Sequence, residues 1–145
     1  MRKSSLSPKV FFNASVIIAG LLSPTGGSAQ LLKQTKQKQI IGIISEIILD
    51  EVLRRSDKLK KSKAEIEKDV KTIFTSIKPA PSTSEVENWQ KIVLDRGDAH
   101  VLAAAKESQS QFLVTLDKKH LLILQNKIKK FRVVSPKQLI EYLSK

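Results

Sequence analysis

The stretch DAHVLAAAKESQSQFLVTLDK, residues 98–118, predicts a helix followed directly by a buried strand. Val101, Leu102 and Ala105 follow Asp98 by three, four and seven residues, which is the spacing of one helix face. Residues 111–115 then form a short, mostly apolar run, which is typical of a strand buried on both faces. A helix that leads into such a strand indicates an α/β protein with a parallel sheet.

The same alternation of strands and helices continues along the rest of the chain, with no internal repeat and no long interior linker. Four strands are predicted, at residues 9–12, 40–44, 111–115 and 131–134. Helices are predicted at residues 16–22, through Leu31 and Leu32, at 46–55 after a Ser45 cap, at 62–77, around Trp89, at 100–108, at 121–124 and after a Ser135 cap. The pattern predicts an α/β fold with helices on both faces of a mostly parallel sheet.

Length and composition indicate a single soluble globular domain that spans residues 1–145, with its core at about residues 9–143. The chain is 41% hydrophobic and 28% charged, which is too apolar for a disordered protein. The absence of cysteine excludes disulfides, thiolate zinc sites and thiol catalysis. The apolar run at residues 16–22 is too short to span a bilayer, and no signal peptide is recognised. We therefore expect a cytoplasmic protein without a membrane partner.

The charge of the chain favours an anionic partner. Lysine and arginine number 26 against 14 acidic residues, which gives a net charge of +12 and a pI near 10.0, as in many nucleic-acid-binding proteins. Residues 79–117 depart from this balance, because they carry three basic and six acidic side chains. An acidic segment in a basic chain fits a cation site that faces a polyanion, although a solvated helix face also produces it.

Four side chains are candidates for that cation site. Asn13 and Asp117 each follow a predicted strand, at the edge where parallel sheets bind ligands, while Glu51 and Asp98 border apolar helix faces. Each has an ordinary alternative: Asp98 caps its helix, Glu51 pairs with a lysine, and Asp117 begins the next helix. Together they favour a shared cation, because carboxylates gathered at one edge repel one another. Oxygen ligands without cysteine suit Mg²⁺ or Mn²⁺.

Several other classes lack their motifs. The chain has no G-x-G-x-x-G after a strand and no G-x-x-x-x-G-K-[ST], which argues against dinucleotide-binding and P-loop proteins. A phospho-acceptor receiver domain requires adjacent acids after its first strand, where this chain has Asn13. His100 and His120 share no metal-ligand spacing, so His100 is predicted on a helix face and His120 at the surface. Trp89 is predicted in the core or at its edge, with base stacking as the less favoured role.

Five motifs in order resemble the PIN domain family, and within it the toxin components of prokaryotic toxin–antitoxin pairs. The motifs are VFFNASV at residues 10–16, SPTGGSA at 23–29, ISEIILDEVL at 44–53, DRGDAHVLAAA at 95–105 and LVTLDK at 113–118. The resemblance covers residues 9–143 and implies a three-layer α/β/α sandwich. It also implies a metal-dependent endoribonuclease, usually a homodimer, that a cognate antitoxin protein holds in check.

The resemblance assigns roles to individual residues. It implies that Asn13, Glu51, Asp98 and Asp117 are the catalytic residues and hold Mg²⁺ or Mn²⁺, and that Ser15 and Thr115 support them. Basic side chains flanking the site are expected to bind the RNA backbone, namely Lys118, Lys119, Lys127, Lys129 and Lys130. Such a site activates water and stabilises charge on the scissile phosphate.

Two positions depart from the family. The first strand normally ends in aspartate, whereas this chain has Asn13, whose amide oxygen can bind a metal but carries no charge and cannot act as a base. The usual acid shortly after Asp117 is also absent, because Lys119 and His120 stand there. Three hypotheses stay open: a toxin-type endoribonuclease attenuated by Asn13, a non-catalytic PIN domain that binds RNA or protein, and an RNA-processing nuclease without an antitoxin.

Overall fold

The computed structural model describes residues 7–93 and 95–145, so the first six residues of the predicted domain lie outside the described part. In chain order the elements are β1 (Lys9–Phe12), α1 (Ala14–Leu22), α2 (Gly27–Lys36), β2 (Ile41–Ser45), α3 (Glu46–Leu53), α4 (Ser56–Leu59), α5 (Lys63–Ile73), β3 (Ser76–Lys78), α6 (Thr83–Gln90), α7 (Arg96–Glu107), β4 (Phe112–Val114), a short 3₁₀ helix (Leu122–Leu124), β5 (Arg132–Val134) and α8 (Pro136–Leu143).

The strands form one five-stranded sheet in the order β3-β2-β1-β4-β5, and every neighbouring pair is parallel. Helices α1, α2, α3, α5 and α8 pack against one another as one group, and α6 packs against α7. The predicted three-layer α/β/α fold with a parallel sheet is confirmed. The strand order reverses direction between β1 and β4, and open α/β sheets bind ligands beyond the carboxyl ends of the strands at such a point.

The core follows from the apolar strands. Phe11, Phe12, Ile44 and Leu113 are completely buried because both faces of the central strands are covered by helices. Trp89 is also buried and packs against the ring of Phe131 at 5.8 Å between centroids, so its predicted core position is confirmed. Over the described residues no single helix is long and apolar enough to cross a membrane, and only the bent pair α1 and α2 passes that test jointly.

Two predicted caps are confirmed. The Ser45 side chain accepts a hydrogen bond from Ile48 N at the start of α3, at 3.2 Å. Ser135 and Gln138 form a reciprocal capping box at the start of α8, where Pro136 occupies the first turn. In both cases a serine ahead of an apolar periodic run satisfies backbone N–H groups that the helix itself leaves unpaired.

The helix boundaries differ from the prediction by two or more residues in four places. Helix α1 begins at Ala14 rather than at residue 16. The helix predicted at 62–77 ends at Ile73, because buried Phe74 is extended and residues 76–78 pair with β2 as the edge strand β3. The helix predicted at 46–55 ends at Leu53, and the separate short helix α4 follows it. Helix α7 begins at Arg96 rather than at residue 100, because the Asp95 carboxylate accepts a hydrogen bond from Gly97 N and caps it there.

Candidate active site

The candidate site lies where β1 and β4 end side by side. Phe12 is in register with Val114, so the residues that follow them, Asn13 and Thr115, extend from neighbouring strand ends. The Asn13 backbone N–H still donates to the Val114 carbonyl oxygen at 3.0 Å, which continues the ladder by one bond. The position of Asn13 is therefore fixed by the sheet rather than by a loop.

The Asn13 side chain is the centre of a small hydroxyl network. Its Oδ1 accepts hydrogen bonds from Ser15 Oγ at 2.8 Å and from Thr115 Oγ1 at 2.9 Å. Each hydroxyl in turn accepts from a backbone N–H, Ser15 from Leu116 and Thr115 from Asp117, both at 3.1 Å. Because an amide oxygen has two lone pairs, the two hydroxyls occupy both of them. This network connects the end of β1 to the segment that carries Asp117.

Two carboxylates and a histidine converge beside this network. One potential ligand atom from each of Asp98, Asp117 and His120 lies within 4.8 Å of the others. The His120 backbone N–H donates to Asp117 Oδ1 at 2.9 Å, and its ring Nδ1 lies 3.3 Å from Asp117 Oδ2. The Asp117 carboxylate thus fixes the turn that follows β4 and holds the imidazole against itself.

The environment of Asp98 disfavours its ionised form. Burial of the Asp98 carboxyl raises its pKa above the usual value, and the nearby Asp95 and Asp117 carboxylates raise it further, against the opposing effect of His120 and His100. A raised pKa means that the ionised Asp98 is less stable here than in water. A bound cation would relieve this unfavourable charge.

Glu51 approaches from α3 and is held by a second histidine. His100 Nε2 lies 3.4 Å from Glu51 Oε2, and the side chains of the two residues are 11% and 35% exposed. The His100 Nδ1 is buried and has no hydrogen-bond partner in the described part of the chain. Helix α7 therefore presents Asp98 to the Asp117 side of the site and His100 to Glu51.

The open side of the site is a cleft of about 570 Å³ that Asn13 and Glu51 line together. One wall is apolar and formed by α1, from Ala14, Ile18, Ala19 and Leu22. The other wall is basic, with Arg54, Arg55 and Lys58, of which Arg54 also pairs with Asp50 at 2.7 Å. One carboxylate, that of Glu51, and three basic side chains that suit an anion thus lie in one groove.

The four predicted site residues are brought together only in part, because Glu51 is not within the cluster of Asp98, Asp117 and His120. Asn13 shares the cleft with Glu51, connects through Thr115 to the Asp117 backbone, and Asp117 lies beside Asp98. Their proposed roles as metal ligands stay predictions. The five predicted RNA-binding lysines are all exposed, but none lines the cleft, namely Lys118, Lys119, Lys127, Lys129 and Lys130.

The ordinary alternatives for the acids have mixed outcomes. Asp95, not Asp98, supplies the side-chain cap of α7. Among the described side chains Glu51 pairs with His100 and with no lysine. Asp117 fixes the turn after its strand but does not begin the next helix, which starts at Leu122, and it also lies within the cluster. Three carboxylates without a described lysine or arginine partner provide oxygen donors that fit a divalent cation.

The sequence analysis did not identify two parts of the candidate site. His120 is 57% exposed, as a surface residue should be, but it contacts Asp117, and its position three residues after that acid was the available signal. The basic wall of the cleft was also missed, because the position of Arg55 and Lys58 depends on how the chain turns between α3 and α4.

The chain was compared with family models, with curated proteins and with solved structures. A family model described as the PIN domain matches residues 9–119. None of the curated proteins matches the chain. Solved structures with the same fold include VapBC2 from Rickettsia felis bound to a DNA fragment from its promoter, with a TM-score of 0.63 and 14% identity over 88% of this chain and 98% of that one.

Two further structures are similar in fold. PAE2754 from Pyrobaculum aerophilum has a TM-score of 0.61 and 17% identity over 99% of this chain and 94% of its own. The sarcin-ricin loop cleaving toxin VapC20 from Mycobacterium tuberculosis has a TM-score of 0.54 and 12% identity over 76% and 91%. At these identities the structures support the fold, while the family model covers most of the sequence including all four candidate positions. The chain belongs to the PIN domain family.

Proposed function

We propose that the chain is a metal-dependent endoribonuclease of the PIN-domain toxin type, which hydrolyses RNA phosphodiester bonds. Membership of the PIN domain family supports a nuclease-type function. The observation that supports the proposal is the cluster of Asp98, Asp117 and His120 after β4, together with Glu51 in a basic cleft that Asn13 also lines. Metal-assisted phosphodiester hydrolysis needs acidic side chains that hold a cation, and basic side chains help to hold the phosphate backbone.

Glu51, Asp98 and Asp117 would hold Mg²⁺ or Mn²⁺, and Asn13 occupies the fourth position of the family's site. When bound, the metal ion supplies a Lewis acid for the scissile phosphate and lowers the pKa of a coordinated water. Ser15 and Thr115 keep Asn13 and the Asp117 backbone in place through their hydroxyl groups. The oxygen of Asn13 is already engaged by two hydroxyls, so we expect it to bind a cation weakly and to attenuate the enzyme.

RNA is the proposed substrate because of the charge around the site. Arg55 and Lys58 line the same cleft as Asn13 and Glu51, where they are able to contact phosphates on either side of the scissile bond. The exposed lysines at 118, 119, 127, 129 and 130 would extend this contact along the strand, as the sequence predicted. The net charge of +12 favours association with any polyanion. The proposed reaction type therefore rests on the site carboxylates and not on the net charge.

A cognate antitoxin and a homodimeric state complete the proposal, together with a cytoplasmic location. The Rickettsia felis neighbour is a VapBC2 complex, and we extend a protein partner of that kind to this chain. Light scattering of the purified chain tests the dimer, which is expected at about twice the protomer mass of 16.2 kDa. A monomer at micromolar concentration would contradict that part alone.

A paired ribonuclease assay tests the activity. The chain and its Asn13→Asp variant are incubated with a pool of structured and unstructured RNAs in Mg²⁺ or Mn²⁺, with EDTA and Asp98→Asn as controls. We expect slow cleavage by the chain, faster cleavage by Asn13→Asp, and none with either control. Salt-sensitive RNA binding without turnover in either protein would instead identify the non-catalytic binding module.

A further inference from the structure

We propose that His120 is a metal ligand, which with Asp98 and Asp117 forms a mixed carboxylate–imidazole site that prefers a divalent transition-metal ion to Mg²⁺. This inference rests on the proposed function, because it specifies the cation of the same site. It differs from the four positions implied by the family resemblance, since it adds a nitrogen donor from a residue that those positions do not include.

The first argument is the position of the imidazole. A ring nitrogen of His120 and one carboxylate oxygen from each of Asp98 and Asp117 lie within 4.8 Å of one another, so modest side-chain rotation brings all three to one ion. The backbone of His120 is fixed by its hydrogen bond to Asp117 Oδ1, while its side chain is 57% exposed. The ring is therefore anchored beside the carboxylates yet has room to turn a nitrogen toward them.

The second argument is the state of Asn13. Ser15 and Thr115 both donate to its Oδ1, which leaves its NH₂ group, a donor that cannot bind a cation, for the remaining direction. The site has therefore lost a charged ligand at the end of β1. Beside Asp98 and Asp117, His120 supplies a donor that needs no negative charge, and this compensates for part of the loss.

Ligand chemistry determines which ion such a site prefers. Mg²⁺ binds oxygen donors and gives up its water reluctantly, whereas imidazole favours later divalent transition metals. Two carboxylates and an imidazole that lie close together in space resemble the donor sets that hold such metals. We therefore expect the chain to bind Mn²⁺ and Co²⁺ in preference to Mg²⁺, by a wider margin than an all-carboxylate site.

The competing explanation is that His120 only hydrogen-bonds to Asp117 and fixes the turn after β4. The two explanations differ in whether nitrogen reaches the ion. Pulsed electron paramagnetic resonance of bound Mn²⁺ detects a directly coordinated nitrogen. The chain has only two histidines, His100 and His120, so the tag-free protein offers two histidine sources for such a signal.

The experiment compares the full chain with His120→Asp and His100→Gln after loading with Mn²⁺. We expect nitrogen coupling in the full chain, its loss in His120→Asp while Mn²⁺ remains bound, and its persistence in His100→Gln. Mn²⁺ bound without nitrogen coupling, or coupling that survives in His120→Asp, would overturn the inference and leave the proposed metal-dependent function intact. No Mn²⁺ binding by the full chain or by Asn13→Asp would overturn both.

A second measurement uses metal affinity and is independent of the spectrum. Titration of Mn²⁺, Co²⁺ and Mg²⁺ gives a selectivity ratio for the full chain and for His120→Asp, which restores an all-oxygen site. We expect the Co²⁺-over-Mg²⁺ ratio to fall by about tenfold or more in His120→Asp. An unchanged ratio would count against His120 as a ligand, because the variant replaces the only nitrogen donor of the proposed set.

Discussion

The two sides of the candidate site differ in how their polar groups are satisfied. On the β1 side, Asn13 Oδ1 accepts from two hydroxyls, and each hydroxyl accepts from a backbone N–H, so this network is closed and uncharged. On the α7 side, Asp98 and Asp117 lie close together, and the pKa of Asp98 is raised by burial and by neighbouring acids. The β1 side carries no charged group in this network, whereas the α7 side brings two acids together.

This difference indicates which side is structural and which is chemical. A closed network of hydrogen bonds lowers the free energy of the folded chain by itself, whereas crowded carboxylates raise it until a cation binds. Asn13 carries no charge, so the acidic part of the cluster lies on the side of α7 and of the segment after β4.

The largest effect is expected on the charged side, from the double change of Asp98 and Asp117 to asparagine. Cleavage of RNA in Mn²⁺ should fall by about 100-fold or more, because two charged donors for the cation are lost. Asp69→Asn is a control, since Asp69 lies on α5, outside the cluster, and pairs with Lys61. Cleavage that survives the double change would contradict the proposed site.

The same side gives a prediction about stability and pH. Because the pKa of Asp98 is higher in the folded chain than the ordinary value near 3.8, the folded state binds a proton more tightly than the unfolded state. Stability without metal should therefore decrease as the pH rises from 3.8 through the raised pKa, and the penalty is complete above it. In EDTA at neutral pH, Asp98→Asn is expected to melt at or above the temperature of the unaltered chain, and a clear fall would contradict this sign.

Changes in the hydrogen-bond network around Asn13 should lower the stability of the fold and not the activity alone. Thr115 is completely buried, and Thr115→Val keeps its shape while removing the hydroxyl that serves Asn13 and the Asp117 backbone. Two groups lose a partner, so we expect the free energy of unfolding to fall by about 1–3 kcal/mol in chemical denaturation. Thr115→Ser retains the hydroxyl and should lose less. Equal losses in the two variants would mean that packing, not hydrogen bonding, explains the position.

Much of this arrangement could be predicted from the sequence because it follows from a simple rule of parallel sheets. Once apolar runs identify β1 and β4, residues that follow them must meet at one edge, which brings Asn13 and the Asp117 segment together. The caps at Ser45 and Ser135 were predictable for a similar reason, since they depend on local backbone groups.

The remainder depended on contacts that local spacing does not encode. Ile77 continues the helical spacing of α5, but pairing with β2 makes its segment an edge strand instead. The contact of His100 with Glu51 joins two helices far apart in sequence, so no motif reveals it. The basic wall of the cleft likewise depends on the turn between α3 and α4, which places Arg55 and Lys58 beside the site.

A moderate effect is expected when the closed side is given a charge. In Asn13→Asp the new carboxylate keeps the two hydroxyl donors on one oxygen and offers the other to the cation. Affinity for Mn²⁺ should rise by about tenfold, which corresponds to about 1.4 kcal/mol. Asn88→Asp makes the same charge change at an exposed position on α6 and should leave the affinity nearly unchanged. Equal gains in both variants would indicate a general effect of net charge.

The smallest effect is expected where neither side of the site is touched and only the substrate backbone is released. Arg55 and Lys58 line the cleft, whereas Lys129 and Lys130 are exposed on the segment before β5 and do not line it. Each pair is changed to alanine, so the net charge falls equally, and RNA binding is measured across a salt series with the catalytically disabled Asp98→Asn background. Loss of the cleft pair should make the log–log salt slope shallower by about 1–2. Each phosphate contact releases about one counterion on binding, so fewer counterions are released when contacts are lost. Loss of the distal pair should change the slope less. The reverse order would assign the RNA path to the lysines that the sequence first indicated, and would separate the basic wall of the cleft from the proposed reaction.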